Sequence, residues 1–420
     1  MANQAAPISA HDRIEVLDVL RGFALLGILL VNMHFFALPF TSFAVEPHGY
    51  PDLPDRVSEW IIRFAAQAKF YTLFSFLFGL GFAIFVTRAE EKGRRGGTLF
   101  ARRLLVLLLI GTIHAFLIWP GDILMTYAIG GFVLLMFRNR KPKTLLVWAA
   151  ILTVLAPLVM FGFAGLIALG MQNPEARPEI ERDLAKQDQT MHGIYDDGMI
   201  AYSSDSFARV TARRASDVAV YWSWALFFMP SVLAMFLVGL WAHQRGIFSN
   251  LRAHLPFIRK VWAWTLPIGI IGNGVMTYIA EYASPVVPSF FGATGQLFGA
   301  IGAPALSMFY ASSLVLMWHA GWRQRLHPLT YVGRMALSNY LLQSLVCTLI
   351  FYGYGLGMFA KVRPLYWIPL AVAIYATQIP LSKWWMSRYQ FGPVEWLWRT
   401  LTYGRLQPMR PELASTASSG

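Results

Sequence analysis

Ten long apolar runs dominate this sequence and leave it one natural environment. They cover residues 16–38, 70–86, 104–119, 123–137, 145–169, 222–241, 261–279, 297–318, 337–353 and 367–385. Several fall a little short of the ~20 residues that span a bilayer as a helix. Flanking Lys69 and Arg103 are expected to extend them by reaching toward the interface. Outer-membrane strands are excluded, because these run only ~10 residues and alternate polar with apolar. Just 14% of the residues are charged, against about a quarter in a soluble domain. The reading is an all-α polytopic membrane protein, with about ten transmembrane helices in one bundle.

The formal net charge of +13 would suggest nucleic acid in a soluble chain. Its distribution says otherwise. Arg88, Lys92, Arg94, Arg95, Arg102 and Arg103 crowd one connection; Arg138, Arg140, Lys141 and Lys143 crowd another. Arg245, Arg252, Arg259 and Lys260 follow, then Arg323 and Arg325, then Arg388, Arg399, Arg405 and Arg410. The connections at 120–121 and 281–292 carry no basic residue. This alternation puts the basic loops and both termini in the cytoplasm. Lys361 and Arg363 fall on the outer side, as do basic residues of a long loop that the rule does not govern. The partner is then a lipid bilayer and not nucleic acid. The first apolar run carries Arg13, Asp18 and Arg21 at its leading end and reads as a retained helix, not a signal peptide. Cys347 is the only cysteine and sits inside an apolar run, which excludes an intramolecular disulfide or a cysteine-based metal centre.

Residues 1–390 form one membrane domain, with outer loops at 41–59 and 171–216. The second loop is polar, and its 178–189 stretch has helix-forming composition. Gly295, Gly299 and Ala303 lie four apart, a spacing that lets two helices pack closely. Residues 391–410 read as an amphipathic interfacial helix. Pro393 suits its first turn; Val394, Leu397, Trp398 and Leu401 share a face; Glu395 and Arg399 are spaced to pair. Residues 411–420 are small and polar and are expected to be disordered.

Ionisable residues inside hydrocarbon are functional candidates by default. In the first helix, Asp18, Arg21 and Asn32 fall on one stripe, with Asp18 spaced to pair with Arg21 and His34 nearly opposite. A tight hairpin carries His114 before its turn and Asp122 just after it, with Asp122 and Tyr127 as the two candidate partners for the imidazole. Asp122 also has a purely structural explanation as a helix cap. A carboxylate-held histidine is a usual general-base arrangement. A further helix is expected to start at Gly333 and Arg334, with Asn339 and Gln343 sharing a face one turn apart, and His327 is expected in a solvated loop. Asn339 and Gln343 suit interhelical hydrogen bonds. Arg334 with Arg21 suits a cytoplasmic phosphate-binding pair. No P-loop, dinucleotide fingerprint, HExxH zinc motif or nucleophile elbow occurs.

Five stretches carry a family resemblance. They are Arg21-Gly22-x-Ala24-x-Leu26-Gly27-Ile28-Leu29-Leu30-x-Asn32, Lys69-Phe70-x-Thr72-Leu73-Phe74-x-x-Leu77-Phe78-Gly79-x-Gly81, and the hairpin from His114 through Gly121-Asp122-Ile123-Leu124 to Tyr127. The others run from Gly333 to Gln343 and from Gly392 to Arg399. They resemble the YeiB (DUF418) family of bacterial inner-membrane proteins and span the chain from end to end. The first helix is also similar to that of membrane acyltransferases of the heparan-glucosaminide N-acetyltransferase type. Those enzymes move an acyl group from cytoplasmic acyl-CoA to a sugar outside. The resemblance implies acyl-CoA as donor and a sugar or lipid-linked acceptor; the lone cysteine and the lack of an HExxH motif leave no metal expected. It puts Asp18 and Arg21 at the entry and Asn32 at the outer end. Bacterial O-antigen-modifying acyltransferases carry a histidine at about the position of Asn32, where this chain has none. His114 or His48 would be the reactive histidine, with His114 favoured.

The first functional expectation is therefore a membrane acyltransferase. Its catalytic group is His114, Asp122 and Asn32, and its donor-binding group is Arg21, Asp18, Arg334, Asn339 and Gln343. The alternatives are a secondary transporter of a small solute, with Pro157, Pro230 and Pro267 breaking three spans, and a non-catalytic membrane scaffold.

Overall fold

The structure is a computed structural model that describes residues 14–45, 50–284 and 286–410. Among these the regular elements are all helical. They are α1 (Glu15–Ala37), α2 (Ser42–Val45), α3 (Leu53–Ile61), α4 (Lys69–Glu91), α5 (Gly96–Leu117), α6 (Leu124–Phe137), α7 (Pro142–Gln172) and α8 (Arg177–Tyr202). Then follow α9 (Phe207–Gln244), α10 (Leu251–Tyr282), α11 (Phe290–Met317), α12 (Arg323–Arg334), α13 (Ala336–Phe351), α14 (Trp367–Met386) and α15 (Pro393–Tyr403). Among the described residues eight helical stretches are long and apolar enough to cross a membrane, and α6 and α13 are shorter apolar helices beside them. His48 and the 411–420 tail lie outside the described residues.

The ten apolar runs become α1, α4, α5, α6, α7, α9, α10, α11, α13 and α14. Sequence reading and structure agree here because a continuous run must satisfy its backbone polar groups internally, which only a helix can do segment by segment. The core sits where α1, α4, α5, α6, α9, α12, α13 and α14 meet. By contrast α7 is mostly exposed, which suits a lipid-facing helix. The helices α10 and α11 pack tightly because glycines face each other: a Cβ at Gly272 would lie 2.6 Å from the Gly302 Cα. Gly295 and Gly299 take part in the same contact, against Ile279 and Met276.

The polar 171–216 segment, long enough for a short helix or two, is mostly one long helix, α8, leading into α9. Lys69 does not reach for the interface. It is fully buried, and its Nζ donates to the Arg63 carbonyl at 3.0 Å, in the π-helical turn Ile62–Ala66 that precedes α4. Arg103 lies over the Trp398 ring at 3.7 Å. Finally, His327 is not in a loop: the chain is helical over α12, breaks at Met335 (φ −110°, ψ 32°), and restarts as α13. Arg334 thus ends one helix instead of opening the next.

Candidate functional site

A cavity of about 380 Å³ opens among α1, α4, α5, α6, α12, α13 and α15. Glycines make it possible. Ala or any larger residue at 333 would overlap the Asp18 carbonyl, and one at 22 would overlap the Leu329 carbonyl. With glycine at both, α12 lies directly on the first turns of α1. Asp18, Arg21 and Arg334 then share one wall.

The remaining charged groups come from elements far apart in sequence. Arg88 and Arg103 project from α4 and α5, and Glu395 and Arg399 from α15. Five arginines thus face two carboxylates. Arg21 binds Asp18 at 2.8 Å yet keeps its side chain 29% exposed, whereas Asp18 is buried. Deeper in, Leu25, Ile28, Phe74, Leu77, Phe78, Phe82 and Leu107 make the walls apolar. The end of the cavity is formed by Ile123, Leu124, Tyr127 and Tyr340.

α15 closes one side. Trp398 donates its indole N–H to the Arg103 carbonyl at 2.8 Å. The Glu395 carboxylate accepts the Leu337 and Ser338 amides, at 2.7 and 3.1 Å, and the Ser338 hydroxyl. These are the first amides of α13, which have no acceptor inside the helix. Burial pushes the Glu395 carboxyl above the usual carboxylate range, and the hydrogen bonds from Ser338 and Leu337 act against it. Val394 and Trp398 pack on the core, while Leu397 and Leu401 stay exposed. The apolar face expected from the sequence is therefore divided, with Val394 and Trp398 turned inward and Leu397 and Leu401 outward, and the inner side, with Glu395 and Arg399, belongs to the cavity.

At the deep end, the hairpin between α5 and α6 folds His114 against Asp122. His114 Nδ1 donates to Asp122 Oδ2 at 2.7 Å, with each side chain 1% exposed. Asp122 Oδ1 also accepts the Met125 amide at 2.7 Å, so one carboxylate orients the imidazole and caps α6. In the neutral ring this leaves Nε2 as the atom with the free lone pair. Among the described residues it finds no hydrogen-bond partner. The dyad sits just behind the cavity end: Ile123 follows Asp122, and the Tyr340 ring centroid is 5.2 Å from that of His114.

The other sequence candidates are elsewhere. Asn339 Nδ2 donates to the Val332 carbonyl and to Ser382 Oγ, at 3.2 and 3.0 Å. Gln343 Nε2 donates to Gln378 Oε1 at 2.8 Å. Both tie α13 to its neighbours and lie off the cavity wall. Half-buried Asn32, near the end of α1, is also off the wall. His34 meets Ser42 Oγ at 2.8 Å and packs edge-on against Trp367. Arg88, Arg103, Glu395 and Arg399 read in sequence as cytoplasmic charge or an interfacial face. The signal that marks three cavity residues is the i, i+3, i+4 spacing of Glu395, Trp398 and Arg399.

Fold and site define a multi-pass helical membrane protein with an arginine-walled cavity that ends beside a buried histidine–aspartate pair. Similar proteins match the chain over nearly its whole length. It is 38% identical to a protein named YxaH from Bacillus subtilis, over 96% of this chain and 97% of that one. It is 31% identical to a 39.9 kDa protein of the amylase 3′ region of Bacillus acidopullulyticus, covering 96% and 97%. It is 29% identical to YeiB of Escherichia coli, covering 97% and 100%. The model of a family described as "Protein of unknown function (DUF418)" matches residues 242–405. The chain belongs to this YeiB/DUF418 family.

Proposed function

We propose that this protein is a membrane acyltransferase that takes its acyl group from acyl-CoA on the basic side of the bilayer. The supporting observation is one cavity that is cationic at its mouth, apolar along its walls, and closed at its end by the neighbours of a histidine–aspartate pair. A donor of this class matches that gradient. Its phosphates meet Arg21 and Arg334, since guanidinium forks suit phosphate oxygens. Its thioester arm follows the apolar walls toward Tyr340. Asp122 holds the imidazole tautomer, and His114 Nε2 takes the proton of an acceptor hydroxyl or amine. A sugar or lipid-linked acceptor reaches the pair from the opposite face. Asn32 lies toward that face, and we assign it no chemical step.

The experiment is thermal unfolding of the purified protein in detergent with millimolar coenzyme A. Saturation at 100 times Kd adds about 2.7 kcal/mol, a shift of several degrees. Adenosine, which lacks the phosphates, is expected to leave the transition unmoved. Absence of a shift with coenzyme A contradicts the reading. Accumulation of a sugar or peptide by proteoliposomes without acyl-CoA would favour transport instead.

A further inference from the structure

Three buried polar atoms around the dyad keep unused hydrogen-bonding capacity among the described residues: His114 Nε2 and Trp119 Nε1 have no partner, and the Tyr340 hydroxyl, which the Ile123 amide approaches, has no acceptor for its own proton. Their side chains are 1%, 2% and 5% exposed. Buried polar groups are nearly always paired, so each unused capacity calls for an explanation. Three at one place call for a shared one. The rings are neighbours: the His114 centroid is 5.2 Å from that of Tyr340 and 6.3 Å from that of Trp119. Packing holds them there. Trp119 lies on Phe36, with centroids 4.3 Å apart, and Asp122 fixes His114. Tyr340 alone of the three also lines the cavity.

The chemistry of the set is specific. An indole N–H and a phenol O–H are two donors, and a neutral His114 Nε2 is an acceptor. Together they complement an oxygen that accepts two hydrogen bonds, next to a group that gives up a proton. A tetrahedral acyl-transfer intermediate has this pattern. The geometry points to Trp119 and Tyr340 as the pair that holds its oxyanion, and this rests on the acyl-transfer reading above. In the step, the acceptor oxygen or nitrogen attacks the thioester carbonyl carbon and its proton passes to His114 Nε2. The carbonyl π pair moves onto oxygen, facing Trp119 Nε1–H and Tyr340 Oη–H. On collapse the carbonyl re-forms and the carbon–sulfur bond breaks. The proton on His114 goes to the departing thiolate, giving the acyl product and free coenzyme A. Donors fixed in a buried site need no reorganisation as the charge develops, and removing one typically costs 10²–10³ in rate.

The test uses full-length protein in detergent with acetyl- and palmitoyl-coenzyme A as donors and hydroxylamine as a small acceptor. Hydroxamate and free thiol are measured for wild type, Y340F and W119F. Both substitutions keep an aromatic ring and delete the donor. Coenzyme A binding is measured separately by its thermal stabilisation. Rates are expected to fall 10²–10³-fold in Y340F, with coenzyme A binding within about twofold of wild type, and W119F is expected to fall in the same direction. Y340F turning over at the wild-type rate, while wild type binds and consumes donor, would overturn the oxyanion assignment and leave acyl transfer standing. A wild type that neither binds coenzyme A nor releases thiol from either donor would overturn both. If W119F does not fold, Y340F alone decides.

Discussion

Gly333 lies against the backbone of Asp18 so closely that a Cβ there would overlap the Asp18 carbonyl oxygen and stand 2.9 Å from the Gly22 amide nitrogen. This crossing of α12 over α1 brings Arg334 to the same wall as Arg21. Gly333→Ala is expected to destabilise by about 1–3 kcal/mol through overpacking. Gly162 in α7 has open space around it, so Gly162→Ala is expected to cause no loss. Thermal unfolding of both variants in detergent checks the contrast.

Arg21 and Arg334 are expected to bind phosphate groups directly. A hydrogen bond to a charged group is worth about 1.5–3 kcal/mol. Each alanine variant should therefore weaken coenzyme A binding by tenfold or more, and wild-type affinity should fall with added salt. Equilibrium dialysis with labelled coenzyme A measures both effects.

Glu395 gives a pH signature. Its folded carboxyl titrates above its ordinary value, and an unfolded glutamate titrates near about 4.3. A group raised in the folded state contributes stability that is full below the unfolded value and is lost as pH rises through the folded one. Wild type should lose stability relative to Glu395→Gln as pH rises from about 4 toward neutrality. Unfolding temperatures of the two proteins across that range give the sign.

Arg214 is fully buried on α9, and its guanidinium donates to the Leu117 carbonyl and to Tyr354 Oη, each at 2.7 Å. It anchors the end of α5 three residues past His114. Lysine keeps the charge but not the planar fork. Arg214→Lys is expected to lower the unfolding temperature and to speed hydrogen exchange in the 118–123 hairpin, read by mass spectrometry.

The membrane architecture was legible because apolar length alone dictates it. The His114–Asp122 pair was legible too, because a Pro-Gly turn at 120–121 brings two nearby residues face to face. The rest of the cavity was not. Arg88, Arg103 and Arg399 look like ordinary positive-inside charge, and only the packing of α15 turns two of them inward. The polar helix α12 was hidden by Pro328 and by its basic composition. Asn339 and Gln343 showed their shared face in sequence, but which neighbouring helix faces them depends on the crossing that Gly333 allows.

The most direct measurement is transfer of label from radioactive acyl-CoA into acid-stable membrane material. Membranes containing the wild-type protein are compared with membranes containing His114→Ala at matched expression. Incorporation above the empty-vector background is expected for wild type, and none for His114→Ala. Equal incorporation by the two proteins, or none by either, would contradict it.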